Sequence, residues 1–233
     1  NTHSLEKKVE FLSHATSYPD TTRVEALETH MSWVFLTDFY AYKLKKPVHY
    51  EFLDFTTPAA RHHFCQEELR INKPLAGDTY VGIVTLRTDD GMLNLNGAGE
   101  PVDWLVKMKR LPEEYMLHIA IRDGKVRNAW VQHAAEMLVD FYMTSPPVKK
   151  DPAQYRQQLV KDIERTGEEL LQEEFNLSHS VIIGITTDLL HYVIKYADLF
   201  DQRMAEGRII ECHGDLRPEH ICLAPRPVII DRV

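Results

Sequence analysis

Apolar residues at Leu5, Val9, Leu12 and Ala15 recur with helical spacing, which predicts a short helix over 5–14 that Tyr18-Pro19-Asp20 breaks. The period then changes. From Val24 to Lys46 the chain is rich in Val, Trp, Phe, Thr and Tyr, which suit a pleated, half-buried surface, and Thr37-Asp38 interrupts it like a turn. Strands are predicted near 24–30, 32–37 and 39–46, in an antiparallel meander. Thr57-Pro58 reads as a helix start, and Phe64, Leu69, Ile71 and Leu75 with dense charge between them predict an amphipathic helix over 58–73. Strands follow at 79–87 and 102–109. Asp89-Asp90-Gly91 and Asn96-Gly97-Ala98-Gly99 supply the turns, with a short strand at 92–95 between them.

After Arg110-Leu111-Pro112 the spacing is helical, over 126–143 (Val126, Trp130, Ala134, Met137, Leu138, Phe141), 152–175 and 180–206. Ser145-Pro146-Pro147 opens a loop that runs to Pro152. Gly207 closes the last long helix before a short strand at Ile209-Ile210. The pattern predicts an α+β chain of two lobes: 1–110 an antiparallel sheet plus one helix, and 111–233 mostly helical.

Composition narrows the class. Hydrophobic residues make up 44% and charged residues 27%, and no apolar run is long enough to cross a membrane, so a cytoplasmic protein without a secretory leader is expected. A formal net charge of -8 argues against general nucleic-acid binding, which needs a basic surface to replace phosphate counterions. Two basic clusters, Lys43 with Lys45 and Lys46, and Lys107 with Lys109 and Arg110, either bring positive charge to one cleft or are solvated strand edges. The odd count of three cysteines, Cys65, Cys212 and Cys222, lacks metal-site spacing and fits a reducing compartment, with the thiols expected as small buried hydrophobes.

The candidate chemistry is concentrated at the end of the chain. His213-Gly214-Asp215-Leu216-Arg217-Pro218-Glu219-His220 is followed by an apolar run and then Val228-Ile229-Ile230-Asp231. Two carboxylates, Asp215 and Asp231, thus sit sixteen positions apart on loops beside short apolar strands, a plausible frame for metal-assisted phosphoryl transfer.

His213-Gly214-Asp215-Leu216 resembles the catalytic loop of the aminoglycoside phosphotransferase family. With the stretch from Glu28 to Leu36 and Tyr42-Lys43-Leu44-Lys45-Lys46-Pro47, the chain resembles bacterial members of that group often fused to a P-loop nucleotide-binding domain. The resemblance implies a protein-kinase-like two-lobe fold, and an ATP-dependent enzyme that phosphorylates a hydroxyl of a small molecule. It implies Asp215 as base and Asp231 as ligand of Mg2+, with Lys43 neutralising nucleotide phosphates beside a helix carboxylate, Glu68 or the adjacent Glu67. Arg217 would meet the transferred phosphoryl group or form a structural salt bridge with Glu219 or a helix end. Backbone groups of the hinge from Met108 and Lys109 to Leu111 would bind the adenine edge. His220 stands where the family has a metal-binding asparagine, and imidazole suits Mn2+ or Zn2+ better than Mg2+. The nucleotide-covering turn, Thr29-His30-Met31-Ser32, has no glycine, and leaves the hydroxyls of Thr29 and Ser32 to meet phosphate. Asp188, His191 and Glu211 are candidate acceptor-pocket groups, and the family pattern implies further helices beyond Val233. Two other readings stay open: a weakly catalytic nucleotide-binding module that regulates a partner domain, and a metal hydrolase using His213, Asp215 and His220.

Overall fold

The computed structural model describes residues 3–50 and 53–233. Helix α1 (Leu5–Leu12) is capped by Ser4, whose hydroxyl accepts from the Lys7 amide. Strands β1 (Glu25–Glu28), β2 (Ser32–Leu36) and β3 (Tyr40–Lys45) form the expected meander, and β4 (His49–Tyr50) pairs with β5 (Leu53–Asp54). Helix α2 (Pro58–Ala76) has Thr57 as N-cap and Pro58 at its first position. It runs past the expected end at 73 and through Pro74 before Gly77 stops it. Strands β6 (Tyr80–Asp89), β7 (Met92–Leu95) and β8 (Glu100–Lys109) complete an antiparallel six-stranded sheet of order β1-β2-β3-β8-β6-β7.

Side chains alternate across β3, so its two faces enter two different cores. Tyr42 and Leu44 join Leu12, Tyr18, Phe35, Leu86 and Leu105 in the core beside α1. Ala41 faces the other way and packs with Cys65, Ala76, Val106 and Met108, against α2. Lys43 and Lys45 share that second face, which places two ammonium groups beneath a helix.

Beyond the sheet come α3 (Leu117–Arg122), which the sequence pattern did not suggest, and α4 (Asn128–Thr144). Helix α5 (Pro152–Leu170) is shorter than the expected 152–175, with a separate 3-10 turn at Glu173–Phe175. The single helix expected over 180–206 is two, α6 (His179–Lys195) and α7 (Ala197–Ala205), broken at Tyr196 (φ -110°, ψ 31°). No proline or glycine marks that break, which is why apolar spacing alone does not reveal it. Ile210 makes one isolated bridge to Pro147 instead of a strand. A last antiparallel hairpin, β9 (Ile221–Cys222) and β10 (Val228–Ile229), packs Ile221, Leu223 and Ile229 with Leu75, Ala120, Ala134 and Phe141.

The compact units divide elsewhere than 110/111. One holds the chain as far as Phe141 together with His213–Val233, and the other is Tyr142–Cys212. The terminal segment folds with the sheet because its apolar hairpin completes the core of α2, α3 and α4. In the second unit, Gly167 of α5 has no side chain to obstruct Thr186 of α6. The fold is α+β, and among the described residues no helix is long and apolar enough to cross a membrane.

Candidate functional site

Three remote segments meet in the first unit, at Lys43 on β3, Glu68 on α2 and Asp231 just after β10. Lys43 Nζ lies 2.8 Å from Asp231 Oδ1 and 3.2 Å from Glu68 Oε1. Lys45 Nζ donates to Glu68 Oε2 at 2.5 Å and lies over the Phe55 ring. Glu68 is therefore the acid that faces the lysines, while Glu67 is half-buried and pairs with the exposed Arg70. A helix turns about 100° per residue, so adjacent glutamates point to different surroundings.

Burial works against the charge of Lys43, but Glu68 and Asp231 outweigh it and hold its ammonium well above the ordinary lysine range. Burial also opposes both carboxylates. Lys43 and Lys45 prevail at Glu68, and chiefly Lys43 at Asp231, so both carboxyls stay below the usual carboxylate range. Glu68 Oε1, buried and close to Lys43, has no hydrogen-bond partner among the described residues. The cluster is ionised and incompletely satisfied.

The loop from His213 to His220 joins this cluster through the backbone. His213 uses both ring nitrogens: Nε2 donates to the Ile230 carbonyl at 3.0 Å, and Nδ1 accepts from the Asp215 amide at 3.3 Å. Burial lowers its pKa from the ordinary 6.5, favouring the neutral ring that this pattern needs. Gly214 (φ 87°) lies where a Cβ would meet Val233, and the Val233 amide donates to the His213 carbonyl at 2.9 Å. His220 Nδ1 donates to the Asp215 carbonyl at 2.7 Å, which leaves Nε2 as an acceptor. That nitrogen takes a bond from Arg217 Nη2 at 3.2 Å and lies 4.0 Å from Asp231 Oδ2. Arg217 also pairs with Asp215, Nε to Oδ2 at 3.1 Å, and not with Glu219. Asp215 is half-exposed, so this carboxylate can be approached from solvent.

Asp231 Oδ2 and His220 Nε2, 4.0 Å apart, are donors of kinds a divalent cation accepts, two ligands that do not by themselves complete its shell. Glu68 Oε1, 3.2 Å from Lys43 Nζ, would keep a partner for the ammonium were the Asp231 carboxylate engaged elsewhere. Among the described residues no group of three or more His, Cys, Asp or Glu could hold a metal ion unaided. His213, Asp215 and His220 are not such a set, because His213 has no ring nitrogen to offer.

Other expected site residues lie in different surroundings. Thr29 closes the β1–β2 hairpin on itself: its hydroxyl donates to the Ser32 carbonyl at 2.9 Å and accepts from the Ser32 amide at 3.0 Å. Thr37 closes the β2–β3 turn on Tyr40 in the same way, so the Thr29 hydroxyl has a turn-forming use here and Ser32 is buried. Met108 is buried in the sheet between Ala41 and Tyr80. The Lys109 amide donates to Thr79 and the Arg110 amide to Phe39, while the Lys109 ammonium meets Asp78. Cys65 and Cys222 are buried, and burial pushes the Cys65 thiol up to about 12. Cys212 is exposed, contrary to expectation, because its segment lies outside the terminal hairpin. Asp188, His191 and Glu211 belong to the second unit.

Sequence reasoning missed Lys45, Asn72 and Tyr80 as site residues. The two-residue period of a strand places Lys45 beside Lys43, and the four-residue step of a helix places Asn72 beside Glu68. Nothing in the sequence marks Tyr80, whose hydroxyl accepts from the Asp231 amide at 3.1 Å.

No protein-family model matches the chain. It is similar to uncharacterised proteins of Mycobacterium bovis and Mycobacterium tuberculosis, at 29% identity over 218 residues, which cover 91% of this chain and 42% of theirs. The chain thus spans less than half the length of the curated relatives it matches.

Proposed function

We propose that this chain carries an ATP-dependent phosphotransferase site in a kinase-like, aminoglycoside-phosphotransferase-like frame, with 1–110 as nucleotide-binding lobe and 111–233 as helical lobe. One observation carries the reading. A strand lysine, Lys43, is shared between a helix carboxylate, Glu68, and a loop carboxylate, Asp231, which is tied through His213 and His220 to the loop of Asp215.

Asp231 and His220 Nε2 would hold the nucleotide's metal. Mg2+ or Mn2+, when bound, offsets phosphate charge. Lys43 would leave Asp231 for the phosphates, with Glu68 keeping its ammonium in place. Asp215 would accept the proton of an attacking hydroxyl, which is the modest demand a loose phosphoryl-transfer transition state makes of a base. That requires Arg217 to release both Asp215 and His220 Nε2 and turn its donors toward the moving phosphoryl group. The acceptor is a small hydroxylated molecule, the setting cytoplasmic, and a fused or associated P-loop domain the partner in the same proposal.

The self-closed turn at Thr29 and Ser32 favours a second reading, a weakly catalytic nucleotide-binding module that regulates a partner domain. Calorimetric titration of ATP in the presence of Mg2+ or Mn2+, repeated on Asp231→Ala, tests what the two share. Metal-dependent binding that the substitution abolishes is expected. The absence of binding under either metal would overturn both. Phosphate transfer to a screened acceptor, lost in Asp215→Asn, then separates enzyme from module.

A further inference from the structure

Asp231 has a left-handed backbone (φ 59°), a conformation that aspartate and asparagine adopt more readily than other residues with a side chain. Its surroundings are specific. The Asp231 amide donates to the Tyr80 hydroxyl at 3.1 Å, from the start of β6. The next residue is gripped by one side chain: the Arg232 amide donates to Asn72 Oδ1 at 2.9 Å, and Asn72 Nδ2 donates back to the Arg232 carbonyl at 3.2 Å. A single fully buried amide thus exchanges bonds with both backbone groups of one residue, as a neighbouring antiparallel strand would. Asn72 Nδ2 also donates to the Glu68 carbonyl at 3.0 Å, one turn back on α2. Arg232 adds to the hold, with Nη1 on the Ile71 carbonyl at 2.8 Å and its guanidinium over the Phe141 ring.

We infer that Tyr80 and Asn72 are positioning residues that clamp the backbone around Asp231, so that α2, which carries Glu68, also sets where the Asp231 carboxylate points. The inference deepens the phosphotransferase reading and rests on it for the carboxylate's role. Lys43 must be able to leave Asp231, so it cannot be what keeps the two acids in register. The clamp can, because its bonds run from α2 and β6 to the backbone and leave the Asp231 carboxylate untouched. A shift of α2 would therefore move Glu68 and Asp231 together.

Tyr80→Phe removes one hydroxyl, and Asn72→Leu replaces the amide by a side chain of similar volume. Two measurements separate positioning from general support. In the nucleotide-free protein, amide hydrogen exchange should accelerate about ten-fold or more at Asp231 in Tyr80→Phe, and at Arg232 in Asn72→Leu, with β8 amides unchanged. In calorimetry, affinity for ATP with Mn2+ should fall about ten-fold while affinity for metal-free ATP holds, the usual scale for groups that orient a metal ligand. Parental exchange at both amides would overturn the clamp, as would equal loss of affinity with and without metal. Clamp-dependent exchange in a parent protein that binds no Mn2+–ATP would leave the clamp standing and remove the phosphotransferase reading.

Discussion

The first unit buries charge in two places, around Asp103 and around Lys43. Asp103 receives Arg61 through two parallel bonds of 2.9 Å and Lys8 at 2.7 Å. Arg61 turns its remaining donor to the Phe55 and Thr56 carbonyls, and Asp103 also accepts from the Trp104 amide. Every group there is engaged and almost no solvent reaches it, so the cluster simply joins α1, α2 and β8. Around Lys43, two acids share two lysines and Glu68 keeps an oxygen without a hydrogen bond. Asp231 there has a left-handed backbone and a side chain still 30% exposed. Buried charge by itself therefore does not mark a functional site. The Lys43 cluster differs from the Asp103 cluster in its incomplete hydrogen bonding and its access to solvent, the features that would leave an ion pair able to exchange partners and on which the proposed site rests.

The comparison breaks first at Asp103. Asp103→Ala leaves Arg61 and Lys8 buried without their acid and should cost about 3–5 kcal/mol, read as a lower urea midpoint at unchanged slope. A loss below about 1 kcal/mol would mean that water reaches the cluster and the contrast is false. Lys43→Met should cost less, about 1–3 kcal/mol, because Glu68 keeps Lys45, and it should also abolish nucleotide binding. Binding at the parental level would remove Lys43 from the phosphate site.

Titration gives a smaller effect with a defined sign. Burial lowers the His213 pKa, so on acidification the unfolded chain takes up a proton first and stability begins to fall below the ordinary value of 6.5. Glu68 and Asp231, lowered by their lysines against burial, contribute fully above the ordinary carboxylate range and lose that contribution as pH falls through their lowered values. Lys43 has the opposite sense: its contribution is full below the ordinary 10.5 and is lost as pH rises from there through the raised value. Urea midpoints measured against pH should thus fall in two acid steps, and His213→Gln should remove the first. A single step confined to the carboxylate range would contradict the buried neutral imidazole. Smallest of all, Asp231→Asn should change stability by no more than about 1 kcal/mol, since Lys43 retains Glu68. Chemical unfolding that showed a loss like that of Asp103→Ala would make Asp231 a structural acid.

Much of this was legible in the chain. Strand and helix periods placed Lys43 on a strand and Glu68 on a helix, and the terminal motif singled out Asp215 and Asp231. Geometry was needed to choose Glu68 over Glu67, because the facing side of α2 depends on the sheet it packs against. Tyr80 and Asn72 stayed hidden because their bonds span 151 and 160 positions and satisfy backbone groups, which leave no pattern in side chains. The compact units do not follow the 110/111 division, because a short apolar hairpin at the chain's end completes a core begun at Leu75. The break at Tyr196 escaped because apolar spacing continues through it.

Electron paramagnetic resonance of Mn2+ mixed with a non-hydrolysable ATP analogue tests the exchangeable cluster most directly. The parent protein and Lys8→Met, which touches only the Asp103 cluster, should both broaden the Mn2+ signal and show nitrogen coupling from His220. Asp231→Asn should leave the spectrum as it is without protein. A parent spectrum unaltered by protein, or an Asp231→Asn spectrum identical to a broadened parent, would contradict the account.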